Sequence, residues 1–426
     1  MIATAVENTK TAWLGDFPSH WQVLRIKNLF QEMDSRSETG NEELLSVSHY
    51  TGVTLKRESL ENEDDHLTNA ESLVGYKLVQ QGDLVINIML AWNGSLGISP
   101  YNGITSPAYC VYRIKGDNNP EYFGYLFNTN LFKAEFRRHS TGIIDSRLRL
   151  YSDKFFSIFT IVPPKDEQDE IVQYIKAQEE KINHFIEKKQ RFIELLKEQR
   201  QSVIDLAITK GTNPNANLIE SGVDWIGKFP QHWQFRKLKF CVSLNSNEID
   251  ESEISDEVFK IALENIDNWT GKFIDTGNPQ FEGKGVPFKA GDVLFNKLRP
   301  YLAKAFIAKS SGFCVGELLV LSPNEDFFTS EFLFQRLMTS DFIDIVNSST
   351  YGAKMPRASW NFIGNLKIPI PPIEEQKQIV EHIKIETATI DTAIAKAERE
   401  IELIREYKEA MIVEAVMGKR NSNFAH

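Results

Sequence analysis

The pattern in this sequence that comes nearest to catalytic chemistry is a phosphate-loop spacing, Gly222-Val-Asp-Trp-Ile-Gly227-Lys228. A working loop of this kind needs a Ser or Thr after the lysine to bind magnesium, and Phe229 stands there instead. The stretch from Gly277 to Lys284 is one residue too long for the same motif. We therefore expect neither segment to bind a nucleotide.

Other patterns of catalysis and metal binding are absent from the sequence. It contains no Asn-Pro-Pro-Tyr or Asp-Pro-Pro-Tyr motif of amino-methyltransferases and no Gly-x-Ser-x-Gly nucleophile elbow. The eight histidines are dispersed, and Cys110, Cys241 and Cys314 lack the spacing of a zinc site or a disulfide framework. We expect a chain that is not an enzyme, holds no metal or cofactor, and keeps its thiols reduced.

Length and composition indicate a globular protein of two or three domains. No run of apolar residues approaches a membrane span, and the first ten residues lack the pattern of a signal peptide, so we expect a cytoplasmic protein. The formal net charge is -11, which disfavours a large DNA-binding surface. Any contact with DNA should be confined to local basic patches or be completed by partner subunits.

The sequence contains an internal repeat with a period of roughly 210 residues. Trp13-Leu-Gly-Asp-Phe-Pro-Ser-His-Trp21 recurs as Trp225-Ile-Gly-Lys-Phe-Pro-Gln-His-Trp233, with six of nine positions identical. Pro163-Pro-Lys-Asp-Glu-Gln recurs as Pro371-Pro-Ile-Glu-Glu-Gln, and Gly82-Asp-Leu-Val-Ile-Asn answers Gly291-Asp-Val-Leu-Phe-Asn. A period this long indicates a duplicated domain module and excludes a solenoid.

Each module divides into a globular part and a long helix. Before the Pro-Pro pair, short apolar runs alternate with Gly, Asn and Pro, which is typical of an α/β or α+β domain. After it, neither Pro nor Gly interrupts residues 165–210, and only Gly418 ends the second run. Proline before the first turn and acidic residues within it favour a helix start at both places.

An apolar stripe at alternating three- and four-residue steps predicts that the two helices pair along a coiled-coil seam. The seam residues are Ile175, Ile182, Ile186, Ile193, Leu196, Val203, Ile383, Ile390, Ile394, Ile401, Ile404 and Met411. Glu179, Lys189, Arg200, Thr387 and Lys408 interrupt the stripe. The alternative is two independent helices that each cover their own domain.

We predict an α+β fold whose two long helices form an antiparallel coiled coil, with the duplicated modules related by a pseudo-two-fold axis. Because a helix of roughly 44 residues is about 65 Å long, the globular domains should lie at its opposite ends. The predicted parts are 1–162 (first globular domain), 163–210 (first helix), 211–224 (linker), 225–370 (second globular domain), 371–418 (second helix) and 419–426 (tail).

The repeated motifs, together with Gly291-Asp-Val-Leu-Phe-Asn-Lys-Leu-Arg-Pro-Tyr-Leu-Ala-Lys304, resemble the specificity subunit of type I restriction-modification systems of bacterial defence. The resemblance spans nearly the whole chain. It implies two DNA-recognition domains that read a bipartite target, held apart by the helical pair. It also implies two methyltransferase subunits and two restriction/translocase subunits as partners, which would use S-adenosylmethionine, ATP and Mg²⁺ for adenine methylation and DNA cleavage.

Basic, amide and aromatic residues in loops are the DNA-contact candidates, because Arg and Lys bind phosphates or guanine and amides read adenine. In the second domain they are Asn296, Lys297, Arg299, Tyr301, Lys304, Lys354 and Arg357. In the first domain they are Arg137, Arg138, Arg147 and Arg149, with His139 beside them, and Trp92 and Asn93. The other interpretation is that these charge clusters are solvated surface.

The repeated residues should build the fold that the two domains share, and the unrepeated ones should determine which DNA sequence is recognised. We thus expect Trp13, Phe17, Pro18, Trp21 and His20, with their counterparts in the second module, to pack within the domains rather than stack on bases. Two other functions remain open: a coiled-coil scaffold or adaptor that does not read DNA, and an enzyme with a degenerate active site.

Overall fold

The computed structural model describes residues 11–49, 51–56, 72–144, 147–255, 258–277, 279, 283–352 and 354–419. They form two compact units. Unit 1 comprises the residues up to 188 together with those from 401 onward, and unit 2 comprises residues 189–400. Each unit therefore contains a stretch of both long helices. Of the predicted tail, only Lys419 lies among the described residues.

Unit 1 begins with a globular part of short strands and helices. Its strands are β1 (Gln22–Arg25), β2 (Phe30–Met33), β3 (Leu45–Ser48), β4 (Gly52–Leu55), β5 (Lys77–Val79), β6 (Leu84–Ile86), β7 (Leu96–Ile98), β8 (Gly103–Thr105), β9 (Cys110–Ile114) and β10 (Phe159–Val162). Its helices are α1 (Ile26–Leu29), α2 (Pro120–Phe127), α3 (Asn130–His139), α4 (Ser152–Ser157) and the long α5 (Lys165–Lys210), whose second half belongs to unit 2. The main sheet has the antiparallel order β2-β9-β6-β7, and β1-β10, β3-β4 and β5-β8 form pairs.

Unit 2 repeats this arrangement. Its strands are β11 (Leu218–Glu220), β12 (Lys228–Pro230), β13 (Gln234–Lys237), β14 (Val242–Asn245), β15 (Ile249–Asp250), β16 (Lys260–Ile261), β17 (Lys284–Phe288), β18 (Val293–Asn296), β19 (Ala305–Ile307), β20 (Gly312–Val315), β21 (Leu318–Pro323) and β22 (Lys367–Ile370). Its helices are α6 (Ser330–Leu337), α7 (Ser340–Ser348), α8 (Trp360–Ile363) and the long α9 (Ile373–Val416), whose last part belongs to unit 1.

The strand order confirms the internal duplication. The sheet β14-β21-β18-β19 matches β2-β9-β6-β7, and the pair β13-β22 matches β1-β10. Unit 2 differs in its second four-stranded sheet, β15-β17-β20-β16, where β16 and β20 run parallel. Among the described residues of unit 1, the two-stranded pairs β3-β4 and β5-β8 stand in place of this second sheet. The α+β class predicted from the sequence is therefore confirmed.

Each globular part shares its core with the start of one long helix and the end of the other. In unit 1, Ile175 of α5 and Met411 and Ala415 of α9 are buried in one cluster with the aromatic residues of α2 and α3. In unit 2, Ile208 of α5 and Ile379 of α9 are buried in the corresponding cluster. The burial of these apolar residues explains why each unit needs both helices.

The two repeated motifs meet at the first turn of each long helix. In unit 1 the indole Nε1 of Trp21 donates to Glu167 Oε2 at 2.9 Å, and His20 Nε2 lies 2.7 Å from Glu167 Oε1. The next residue, Gln168, is fully buried, and its amide donates to the Pro163 carbonyl oxygen at 2.9 Å. The same contacts in unit 2 are made by Trp233, His232, Glu375, Gln376 and Pro371. The packing role predicted for the opening motif is confirmed for Trp21 and Trp233, which are buried, whereas His20 and His232 are exposed and that part of the prediction is wrong.

The twelve predicted seam residues are all buried or half-buried. The fully buried ones are Ile175, Ile182, Ile193, Ile383, Ile401 and Met411. The half-buried ones are Ile186, Leu196, Val203, Ile390, Ile394 and Ile404. At the end of α5 the buried face also includes Ile204, which packs with the core of unit 2.

All four charged interruptions of the stripe form ion pairs between the two helices. The pairs are Glu179–Lys408 at 3.1 Å in unit 1, and Lys189–Glu400 at 2.5 Å and Arg200–Asp391 at 2.8 Å in unit 2. As residue numbers rise along α5, those of the partners on α9 fall. The long helices therefore pack together in the predicted antiparallel direction, and the interruptions are part of the pairing.

Candidate nucleic-acid interface

The first candidate loop of unit 2 connects β18 to β19. Asn296 is buried, and its side-chain oxygen accepts from the Leu298 backbone N–H at 2.9 Å. Its backbone N–H donates to the Lys304 carbonyl oxygen at 3.0 Å, which closes the loop. The amide of Asn296 thus shapes the loop from within. Between these two residues, a short 3-10 helix, Pro300–Leu302, presents Tyr301 to solvent.

This loop has a backbone conformation that L-residues rarely adopt. Among the described residues, the non-glycine positions with positive φ are Trp269 (60°), Arg299 (51°) and Ala303 (45°). They are neighbours, because the Trp269 backbone N–H donates to the Ala303 carbonyl oxygen at 2.8 Å. Each such residue costs on the order of 1 kcal/mol or more, and this kind of strain concentrates at functional sites.

The second candidate loop of unit 2, residues 349–358, lies against the first. The Ala358 N–H donates to the Lys297 carbonyl oxygen at 2.9 Å, and the Arg299 N–H donates to that of Pro356 at 2.7 Å. Leu298 also forms a β-bridge with Arg357. The two clusters that the sequence separates by about fifty residues therefore form one surface, which we call the unit 2 paired loops (296–304 and 349–358).

The candidate side chains in the unit 2 paired loops have different surroundings. Lys354 is exposed, and Arg299 is half-buried with Nη2 at 3.5 Å from the Lys354 carbonyl oxygen. Lys304 is half-buried and donates to the Leu263 carbonyl oxygen at 2.6 Å, and burial lowers the pKa of its ammonium group. Arg357 forms an ion pair with Glu317 at 2.7 Å, and that hydrogen bond raises the pKa of the guanidinium group.

Unit 1 has loops with the same backbone hydrogen bonds. The Asn87 N–H donates to the Ser95 carbonyl oxygen at 3.0 Å, and the Asn87 side chain accepts from the Met89 N–H at 3.1 Å. The Leu150 N–H donates to the Ile88 carbonyl oxygen at 2.9 Å, which joins this loop to residues 140–150. We call residues 87–95 and 140–150 the unit 1 paired loops.

The side chains on the unit 1 paired loops and the adjoining end of α3 differ from those of unit 2. The Arg137 guanidinium carbon lies 5.3 Å from the centre of the Trp92 ring, a cation-π contact, and Asn93 is exposed. Arg147 is exposed, and Arg149 is half-buried and donates to the Leu148 carbonyl oxygen at 2.8 Å.

Arg138 is directed back to its own helix. Buried Glu135 accepts its Nε at 2.7 Å, and their hydrogen bonds raise the pKa of Arg138. His139 Nδ1 lies 3.1 Å from the Glu135 carbonyl oxygen. These contacts hold Arg138 and His139 against α3.

Several residues at these surfaces escaped prediction from the sequence. In unit 2 they are Glu317, Trp269 and Tyr351, which is 66% exposed. In unit 1 they are Ile143 and Ile144, of which Ile143 is fully exposed. A comparison of the two repeats beyond the shared motifs would have drawn attention to the loop residues, but exposure of an isoleucine has no signal in a sequence.

This protein combines two duplicated α+β units and a pair of long helices. Each unit carries a loop surface whose side chains differ from those of the other unit. Residues 230–403 match the family model described as the type I restriction modification DNA specificity domain, and the chain as a whole is similar to specificity subunits of type I restriction-modification systems.

Its relatives include the MjaVIII specificity subunit of Methanocaldococcus jannaschii, 25% identical over 96% of this chain and 95% of that one. The EcoDI specificity subunit of Escherichia coli is 21% identical over 78% of this chain and 77% of that protein.

Solved structures share the fold. A chain from a study of complex assembly and conformational transition of the type I R-M system has a TM-score of 0.66 at 14% identity, covering 95% of this chain and all of that one. The HsdS subunit of Thermoanaerobacter tengcongensis has a TM-score of 0.50 at 15% identity, covering 96% of this chain and all of that one.

Two features are absent from the described ranges. They contain no helix that is long and apolar enough to cross a bilayer. They also contain no group of three or more His, Cys, Asp or Glu residues that could hold a metal ion.

Proposed function

We propose that this chain is the DNA-reading subunit of a type I restriction-modification complex and that it recognises a bipartite, asymmetric target. The observation that carries the proposal is the pair of loop surfaces. Both units build them with the same backbone hydrogen bonds, while the side chains presented to solvent differ. Two identical readers would read a palindrome, whereas two diverged readers in one chain can read two different half-sites.

We further propose that the long helices set the gap between the half-sites. Helix α5 has 46 residues and α9 has 44, so each is roughly 65–70 Å long at ~1.5 Å per residue. The ion pairs between them occur in both units, which supports a continuous pairing. A stiff pair of this length would give a fixed spacing, where a flexible linker would allow many spacings.

The partners and chemistry are proposals drawn from the family. Two methyltransferase subunits and two restriction/translocase subunits would bind this chain and act in the cytoplasm on double-stranded DNA. They would use S-adenosylmethionine, ATP and Mg²⁺, and this chain would hold no cofactor and carry out no reaction. Positive charge on those subunits would supply further contacts to the DNA phosphates, since this chain has a net charge of -11.

Mapping of methylated adenines in the host genome, with and without this chain, tests the function. We expect one bipartite motif, two short defined sequences with a constant gap, that disappears when the chain is deleted and returns when it is restored. A methylation pattern that is unchanged by the deletion contradicts the proposal and favours a scaffold that does not read DNA.

A further inference from the structure

Arg357, in the unit 2 paired loops, is held at two points by one carboxylate. Its Nε lies 3.2 Å from Glu317 Oε2, and its Nη2 lies 2.7 Å from Glu317 Oε1. Glu317 is itself tied to the first loop, because its carbonyl oxygen accepts from the Lys297 N–H at 3.1 Å. Both contacts use the same edge of the guanidinium group, so they fix the plane of that group relative to the loops.

The opposite edge of the guanidinium group is open. Nη1 takes no part in the pair with Glu317, and among the residues that the structure describes no acceptor is bonded to it. The Arg357 side chain is 42% exposed, and it lines an open cavity of about 370 Å³ together with Lys297, Tyr351 and Trp360. Two parallel N–H donors, one on Nη1 and one on Nη2, therefore face a space that a ligand can enter.

The arrangement of these donors fits one base. Guanine presents two neighbouring acceptors, N7 and O6, in the major groove, and the outer edge of an arginine donates to both at once. An unrestrained arginine loses rotamer freedom when it binds, and the contact to Glu317 has already removed part of that freedom. A phosphate can also accept two N–H donors from an arginine, so the experiment below compares duplexes that differ only in the base.

Unit 1 has an equivalent arginine, but the position that corresponds to Glu317 is occupied by alanine. Arg149 forms the β-bridge with Thr141 that Arg357 forms with Tyr351, so the two arginines are equivalent. Strand register gives the position of Glu317: Ile86 pairs with Cys110 as Phe295 pairs with Leu319. Ala108 therefore occupies in unit 1 the position of Glu317 in unit 2.

We propose that Arg357, oriented by Glu317, reads a guanine in the half-site bound by unit 2. The inference rests on the proposed function and names one base contact within it. Glu317 is a positioning residue, since it acts through Arg357.

The experiment compares the methylated motifs of cells that carry the complete system with wild-type chain, R357Q, E317Q or R149Q. We expect R357Q to make one G·C position degenerate in one half of the motif and E317Q to relax the same position less. R149Q, the matched control, should leave that position unchanged. Competition binding of the assembled complex to duplexes altered at that position should show discrimination falling by about 5- to 150-fold in R357Q, the range that a good two-donor contact to a base provides.

Three outcomes overturn the inference. They are an unchanged motif in R357Q, an equal weakening on every duplex as expected of a phosphate contact, and relaxation at the same position in R149Q. If the R357Q chain does not assemble with its partner subunits, the same competition binding with R357K tests the inference. Lysine retains the charge but lacks the two-donor edge of arginine. A wild-type system without a bipartite motif would instead refute the proposed function itself.

Discussion

The paired loops of unit 1 and unit 2 have the same backbone frame and different exposed side chains. Buried Asn87 and Asn296 shape the first loop in the same way, and Arg149 and Arg357 form equivalent bridges in the second. Beyond this frame, Trp92 stands in one unit where Tyr301 stands in the other. The comparison shows that the two copies keep the residues and hydrogen bonds that fold the loops. They differ in the exposed side chains that would contact DNA.

The largest expected effect on target recognition comes from exchanging the globular part of one unit. Replacing residues 225–370 with those of another specificity subunit should change one half-site completely and leave the other half-site and the gap intact, because each unit has its own core. Adenine methylation mapping measures the outcome. A change in both half-sites would show that the two loop surfaces do not act independently.

A matched insertion in both long helices should change the gap. Seven residues added after Lys188 in α5 and after Glu400 in α9 lengthen the pair by about 10 Å, or roughly three base pairs, while keeping the seam in phase. We expect a longer gap with the same half-sites, or loss of target binding. Insertion into α5 alone is the control, and it should disrupt pairing. The paired insertion with an unchanged gap would mean that the helices do not set the spacing.

The glutamates in the first turns of the two long helices should contribute equally to the free energy of unfolding. Glu167→Ala and Glu375→Ala each remove the acceptor of a largely buried tryptophan N–H, so each should lower the free energy of unfolding by about 1–2 kcal/mol. Denaturant titration measures the change. A loss in one unit only would indicate that the shared motif has taken different roles, and Gln substitutions, which keep an acceptor, should cost less.

The helix-to-helix ion pairs should give the smallest effects. Asp391→Asn should cost about 0.2–1 kcal/mol, because this carboxylate is 42% exposed and well screened. Glu179→Ala should cost more, since it removes the acceptor of the Tyr125 hydroxyl, at 2.7 Å, as well as the partner of Lys408. Denaturation at low and high salt compares the variants. Equal losses would show that the tyrosine contact adds nothing.

The architecture could be predicted because its signals are repetitive. The offset motifs revealed the duplication, and the four- and three-residue steps through Ile175, Glu179, Ile182 and Ile186 revealed a buried helical face. The polar interruptions were visible too, although their pairing was not: Glu179 and Lys408 are both interruptions and bind each other. Pairing across more than two hundred residues depends on helix register, which no local pattern contains.

The surfaces could be predicted only in part, because loops have no periodicity. The sequence indicated the basic clusters, but their union into one surface depends on backbone bonds such as that from Arg299 to Pro356. Asn296 was chosen for its amide, and that amide is buried within the loop. Glu317 was overlooked because an acidic residue is not expected at a DNA surface, although here it holds Arg357. Whether the candidates contact DNA stays a prediction.

The discontinuous make-up of unit 1 has a consequence for synthesis on the ribosome. Unit 2 has all its residues once position 400 has emerged, whereas the core of unit 1 requires Met411, Ala415 and Val416. Domains usually fold in the order in which they are translated. Here the half that is translated first becomes complete last, and a premature stop shortly after residue 400 would leave its apolar interior open to water.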